Sequence, residues 1–300
     1  MTTDEKLAAI LAAVQIDPGN RGLARDPHDN LFTATAGDFQ AACQSIVKAE
    51  KPHLGVVTGF FIPSSSPPAF ETDGPLGAIF LARALPALSI AVTLYSEPKG
   101  HRSHAVAIRQ FGFSAQAESL VVDSNGVVAL PSENRFSHLI ALERGGPAVD
   151  YRCYTMRGRD ISHEMLPVRT WFETPQRAAS IGIGDGGNEV GMGKVPHETI
   201  VKNIPNGDQI HCRVPTDHLI VAGVSNWGAY ALAAGIYVLR GVKPPTDLFD
   251  PDREREILEV MVREGPLVDG VTGQQTATVD GLSWDEYVKP LVRIREILEA

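Results

Sequence analysis

Near the start of the chain Leu7, Ile10, Leu11 and Val14 fall on one helical face, which predicts a helix over 4–14. Asp17-Pro-Gly-Asn20 then reads as a turn. Phe39, Ala42, Cys43, Ile46 and Val47 repeat the helical spacing and predict a second helix over 36–50. From residue 53 the rhythm changes. Short apolar runs at 53–62, 90–95, 119–123, 137–142, 180–183 and 219–224 read as strands. Helical patterns fall between or after them at 77–88, 104–111, from the 225–228 segment to 239, at 252–263 and at 283–298. The runs are continuously apolar rather than alternating, as expected of strands buried on both faces. The reading is α/β: a doubly wound, mostly parallel sheet with helices on both faces. Residues 1–50 are expected to form a helical segment packing on the core, and 51–300 a single α/β domain.

Composition adds limits rather than identity. With 43% hydrophobic and 21% charged residues over 300 positions, the chain can bury a core without disulfide or metal. A formal charge of -9 with no basic stripe speaks against a general nucleic-acid binder. Cys43, Cys153 and Cys212 lie far apart and form no CxxC pair, so reduced thiols are expected. No apolar run reaches the roughly 18–20 residues of a membrane span. The N-terminal residues lack the basic and apolar regions of a signal peptide. A cytoplasmic location is therefore expected, with no membrane partner; association with further copies of the chain is left open.

In open parallel sheets, ligands bind outside the carboxyl ends of the strands. After the first run come Thr58, Gly59 and Glu71-Thr-Asp-Gly-Pro75. After the fourth come Glu143 and Arg144; after the fifth, Asp185, Asn188 and Glu189; after the sixth, Ser225 and Asn226. The fold thus gathers carboxylates, amides and glycines on one edge. The loop Gly182-Ile-Gly-Asp-Gly-Gly-Asn-Glu189 formally matches the dinucleotide fingerprint. Its acids would repel a phosphate, however, and Gly191-Met-Gly193 discourages the helix that should follow. No nucleotide is expected. Glu71, Asp73, Glu143, Asp185 and Glu189 could hold a hard divalent cation, hold a ligand ammonium, or act as acid and base. Arg144, Arg157 and Arg159 could pair with substrate carboxylates. His101 and His104 have helical spacing but no third metal ligand, and Trp227 reads as packing. Ser225 lacks the frame of a hydrolase nucleophile.

Six segments resemble the D-glutamate cyclase family: 58–60 (TGF), 71–75 (ETDGP), 156–162 (MRGRDIS), 182–193 (GIGDGGNEVGMG), 221–228 (VAGVSNWG) and 268–272 (VDGVT). The likeness runs from about residue 55 to about 282. Its most specific parts are the long glycine segment and Ser225-Asn-Trp-Gly228; Val190 and Ala229 depart from the family pattern. The resemblance implies a hydro-lyase that cyclises D-glutamate to 5-oxo-D-proline and water. In vertebrates a similar domain follows another domain in a mitochondrial protein; this chain is expected to have neither that domain nor a presequence. On this reading Asp73, Glu143, Asp185 and Glu189 supply the catalytic acids. Asp73, Asp185 and Glu189 are the candidate ligands of a divalent Mn or Mg. Arg157 or Arg144 would hold the α-carboxylate, and Asn188 and Asn226 would orient a developing oxyanion. Thr58, Glu71 and Ser225 complete the candidate binding set. The alternatives are a nucleotide- or phosphosugar-utilising enzyme and a non-catalytic acidic amino-acid binder.

Overall fold

In the computed structural model, which describes residues 1–124, 126–129, 135–174 and 178–300, the centre is a six-stranded sheet. In chain order the strands are β1 (His53–Gly59), β2 (Phe61–Ile62), β3 (Ala69–Phe70), β4 (Ala91–Ser96), β5 (Gln116–Ser119), β6 (His138–Arg144), β7 (Ala179–Gly184) and β8 (His218–Val221). The main sheet has the order β5-β4-β1-β6-β7-β8, with every pairing parallel. Counted within the sheet this is 3-2-1-4-5-6, the doubly wound order whose topological switch point lies between the first and fourth strands. Here those are β1 and β6. β2 and β3 form a small antiparallel pair beyond the end of β1.

The helices are α1 (Thr3–Val14), α2 (Leu31–Ala34), α3 (Asp38–Lys48), α4 (Pro75–Ala84), α5 (Pro98–Phe111), α6 (Arg169–Glu173), α7 (His197–Asn203), α8 (Gly207–Ile210), α9 (Ser225–Arg240), α10 (Pro251–Glu264), α11 (Trp284–Tyr287) and α12 (Lys289–Glu299). Alternation along a strand sends neighbouring side chains to opposite faces. Ile140 and Leu142 of β6 join the larger core beneath α4 and α9, while Leu139 and Ala141 join a second core containing Trp171, Phe172 and Ile200. Both faces are therefore covered. α4 and α9 pack side by side and are buried along most of their length, with α1, α3 and α12 covering α9 from outside.

Several boundaries differ from the sequence pattern, each for a local reason. The run 53–62 is not one strand, because Gly59 adopts φ +120 and turns the chain into the small hairpin. The third strand lies at Gln116–Ser119 rather than 119–123. It is an edge strand with no fully buried residue, and Val121 and Val122 beyond it are exposed. The helix expected over 283–298 is two helices, with Pro290 in the first turn of α12. Among the described residues no helix is long and apolar enough to cross a membrane.

Candidate active site

Two helix N-termini meet at the switch point. β1 ends at Thr58 and Gly59, and after the hairpin the chain returns through Glu71-Thr-Asp-Gly to start α4 at Pro75. Gly74 makes that return with φ +89. A Cβ there would come within 2.6 Å of both the Glu143 Cβ and the Thr58 Oγ1, so only glycine fits. α9 starts close by at Ser225, and the two helices cap one another. The Asp73 carboxylate accepts the N–H groups of Ser225 (2.9 Å) and Asn226 (2.8 Å). In return the Asn226 Oδ1 accepts those of Gly74 (2.9 Å) and Gly77 (2.7 Å). A carboxylate at a helix N-terminus is held by unpaired amides and by the helix dipole. In dinucleotide folds with this strand order such amides hold a pyrophosphate. Here the protein's own side chains occupy them.

The remaining acids arrive from neighbouring strand ends. Glu143, in the last turn of β6 backbone, has φ +42, a left-handed conformation that costs a non-glycine residue energy. Its Oε2 accepts the Ser225 hydroxyl at 2.5 Å. Asp185 follows β7. Glu189 folds the glycine loop by accepting the N–H groups of Asp185 (3.0 Å) and Gly187 (2.7 Å), and Asn188 donates its Nδ2 to the Tyr154 carbonyl (2.7 Å). A fourth loop brings Asp280, also left-handed at φ +57. That loop is braced by Asp269, which accepts the amides of Val271 (3.0 Å), Thr272 (2.8 Å) and Gly281 (2.8 Å).

Among the described residues one cation reaches these acids. Arg21, from the loop between α1 and α2, donates Nη1 to Asp185 and pairs Nη2 with Asp280 at 2.7 Å. Burial would lower its pKa, but Asp185, Asp280, Glu143 and Asp73 together hold it well above the ordinary value. The acids are displaced upward. Burial and then Asp280 and Asp73 raise Glu71 well above the carboxylate range; burial, Asp185 and Glu189 do the same to Glu143. Asp185 is raised by burial against the opposing pull of Arg21, and Asp280 likewise. Asp73 is raised to about 7, chiefly by burial and then by Asp280, despite its backbone donors. Crowding of buried carboxylates around Arg21 thus raises their proton affinity, and a further cation entering the cluster would oppose that rise.

Arg21, Glu71, Glu143, Asp185, Asn188, Glu189 and Asp280 line a cavity of about 360 Å³ whose mouth is formed by Pro63, Ser64, Thr155, Arg157, Arg159 and Val271. Asp73, Glu143 and Asp185 each offer an oxygen, and these oxygens lie within 4.8 Å of one another, so three strand ends converge on one point. Asp73 and Asp185 of the trio expected from sequence are in this group together with Glu143, while Glu189 lines the same cavity with its oxygens on the loop amides.

Other expected residues fall elsewhere. Arg144 does not line the cavity. Its guanidinium is fully buried, pairs with Glu97 at 2.6 Å and donates to the Leu166 carbonyl at 2.6 Å. The left-handed Glu143 and the register shift beside it interrupt the strand here, so sequence adjacency does not put the two side chains in one place. Ser225 and Asn226 support the acids and helix caps from behind, and the Thr58 Oγ1 is buried without a hydrogen-bond partner. His104 is buried against Ser96, while His101 reaches the Ala117 carbonyl, so the pair shares no ligand. Trp227 packs in the core and donates its ring N–H to the Tyr287 carbonyl at 3.0 Å. Arg21 and Asp280 escaped the sequence reading. The Asp280-Gly281 dipeptide carries only a turn signal, and nothing around Arg21 marks it as functional.

Residues 10–295 match the family model described as D-glutamate cyclase-like, C-terminal. This chain belongs to the D-glutamate cyclase-like family. It is also 34% identical over 256 residues to the human protein named "D-glutamate cyclase, mitochondrial". That match covers 80% of this chain and 40% of the human protein, so the chain spans less than half the length of its relative. The family match begins inside α1 and thus takes in Arg21 as well as the acids of the strand ends.

Proposed function

We propose that this protein is a hydro-lyase that closes D-glutamate to 5-oxo-D-proline. The observation that carries the reading is the approach of Asp73 to Glu143 and Asp185, two acids that line the cavity, in a chain of the cyclase-like family. Because the amine and the carboxyl that join belong to one molecule, little entropy is lost in bringing them together. What remains is to fold the substrate, remove protons from its ammonium, and let a γ-carboxyl oxygen depart as water.

The residues divide this work by charge. An acidic floor attracts the ammonium. Glu71, whose pKa lies well above the ordinary range, can give a proton to the departing oxygen and then take one from the amine. Arg157, exposed at the mouth with no ion pair among the described residues, holds the α-carboxylate. With the ammonium placed by the floor and the α-carboxylate by the rim, the side chain of only one enantiomer points its γ-carboxyl at the acids. Asn188 lines the same wall and steadies oxygen charge with a side-chain amide.

Asp73, Glu143 and Asp185 also fit a divalent Mn or Mg, since hard cations take carboxylate oxygens and would relieve the repulsion that raises these groups. When bound there, the ion would supply Lewis-acid polarisation of the γ-carboxyl. The acids argue against a nucleotide or phosphosugar, as does the filling of both helix N-termini by Asp73 and Asn226.

Substitution tests the division. Asp185→Asn should lower 5-oxoproline formation at least about 100-fold, the scale of a lost acid-base or electrostatic group, with an unchanged circular-dichroism spectrum. Glu189→Gln should instead lower the melting point, because one of two amide bonds to a charged acceptor is lost, about 1.5–3 kcal/mol. Full activity in Asp185→Asn would remove the glycine loop from catalysis.

A further inference from the structure

The cavity is polarised from floor to mouth. The floor carries Glu71, Glu143, Asp185 and Asp280, answered by Arg21 alone among the described basic residues. The mouth opens to solvent between Val271, which is half exposed, and a tight turn carrying Arg157 and Arg159. That turn is closed by hydrogen bonds between Thr155 and Arg159 (2.9 Å) and from Gly158 to Thr155 (2.8 Å). It is braced from outside by the Asn206 and Gln209 side-chain amides, which donate to the Met156 (3.0 Å) and Gly158 (3.1 Å) carbonyls. Arg159 donates to the Pro63 carbonyl at 3.2 Å, whereas among the described residues no hydrogen-bonding or ion-pair partner engages Arg157. A guanidinium thus stands free on a rigid rim.

These features bear on which substrates fit. In the cyclisation the reacting atoms are the amine and the γ-carboxyl; the α-carboxyl takes no part. With the amine and the γ-carboxyl held at the acids of the floor, the α-carboxyl is the group left toward the rim, so whatever is attached to it leaves through the open mouth. The volume, about 360 Å³, lies in the range of roughly 300–1,000 Å³ that holds ligands larger than a single amino acid.

We propose that the site also cyclises compounds in which D-glutamate is the amino-terminal residue and its α-carboxyl is an amide, including short peptides. The terminal amine forms an N–C bond with the γ-carbonyl carbon and a γ C–O bond breaks. Two protons from the ammonium leave with that oxygen as water, with no change of oxidation state. The peptide's second side chain lies against Val271, and its terminal carboxylate meets Arg157. This inference rests on the cyclase reading above.

The test compares D-glutamate, D-glutamic acid α-amide and D-glutamyl-L-alanine, each with manganese, following the lactam by mass spectrometry. Lactam is expected from all three, with kcat/KM for the two blocked compounds within about 100-fold of the free acid. Arg157→Ala should raise KM for D-glutamate and for D-glutamyl-L-alanine about tenfold or more, and that of the α-amide, which carries no carboxylate there, by a much smaller factor. Turnover of D-glutamate with neither blocked compound converted would overturn the inference while leaving the cyclase reading standing. Equal effects of Arg157→Ala on the peptide and the amide would overturn the rim contact. No lactam from any of the three, free D-glutamate included, sinks both together.

Discussion

Gly74 shows how one residue ties the site together. Its φ of +89 and the 2.6 Å approach of Glu143 Cβ and Thr58 Oγ1 leave no room for a methyl group. Gly74→Ala should therefore force β1, β6 and α4 apart. We expect a loss of stability above the roughly 1 kcal/mol usual for alanine at a left-handed position, read from urea denaturation, together with loss of activity. The acids of the strand ends were legible in the sequence, because a buried parallel strand must be followed by a loop on the same edge. Their division of labour was not. Glu189 and Asp185 stand in one loop and both line the cavity, yet Glu189 spends its oxygens on the loop amides while Asp185 pairs with Arg21, a difference fixed by backbone turns rather than by residue type. Arg21 was invisible for a similar reason: its role depends on a contact with residues more than 160 positions away.

At the scale of elements, the strand–loop–helix rhythm foretold the sheet and most helices, and the order β5-β4-β1-β6-β7-β8 supplies the switch point that the rhythm alone could not locate. The edge strand β5 was misplaced because the valines after it are apolar but exposed. Arg144 was read as a substrate ligand from its place beside Glu143, but past the irregularity at Glu143 it is buried against Glu97 and the Leu166 backbone. Removing one partner of a buried pair strands the other, at a cost of about 3–5 kcal/mol. Arg144→Met should lower stability by that order in chemical denaturation, while KM measured on the folded fraction stays near that of the parent. A large KM effect with unchanged stability would return Arg144 to the substrate.

For the whole molecule, the consequence of the acid cavity is a pH-dependent stability. The folded-state pKa of Asp73, about 7, lies above its ordinary value of 3.8. The folded protein binds that proton more tightly than the unfolded chain does. The stabilisation is complete below about pH 4 and is lost as pH rises through 7. Glu71, Glu143, Asp185 and Asp280 are displaced in the same direction and add to the trend. Metal-free protein should therefore melt at progressively lower temperature from pH 5 to pH 8. Manganese added at pH 8 should restore the melt, by about 2.7 kcal/mol at 100 times its dissociation constant. A flat profile, or no response to manganese or magnesium, would contradict the cation site.

The central claim is that this cavity closes D-glutamate on itself. Purified protein incubated with D-glutamate or L-glutamate, with manganese and after chelation, is assayed for 5-oxoproline by chiral chromatography. The account predicts 5-oxo-D-proline from the D-enantiomer, little or no product from the L-enantiomer, and a loss of rate on chelation that manganese reverses. No product from D-glutamate under any of these conditions, with the protein folded, would contradict it.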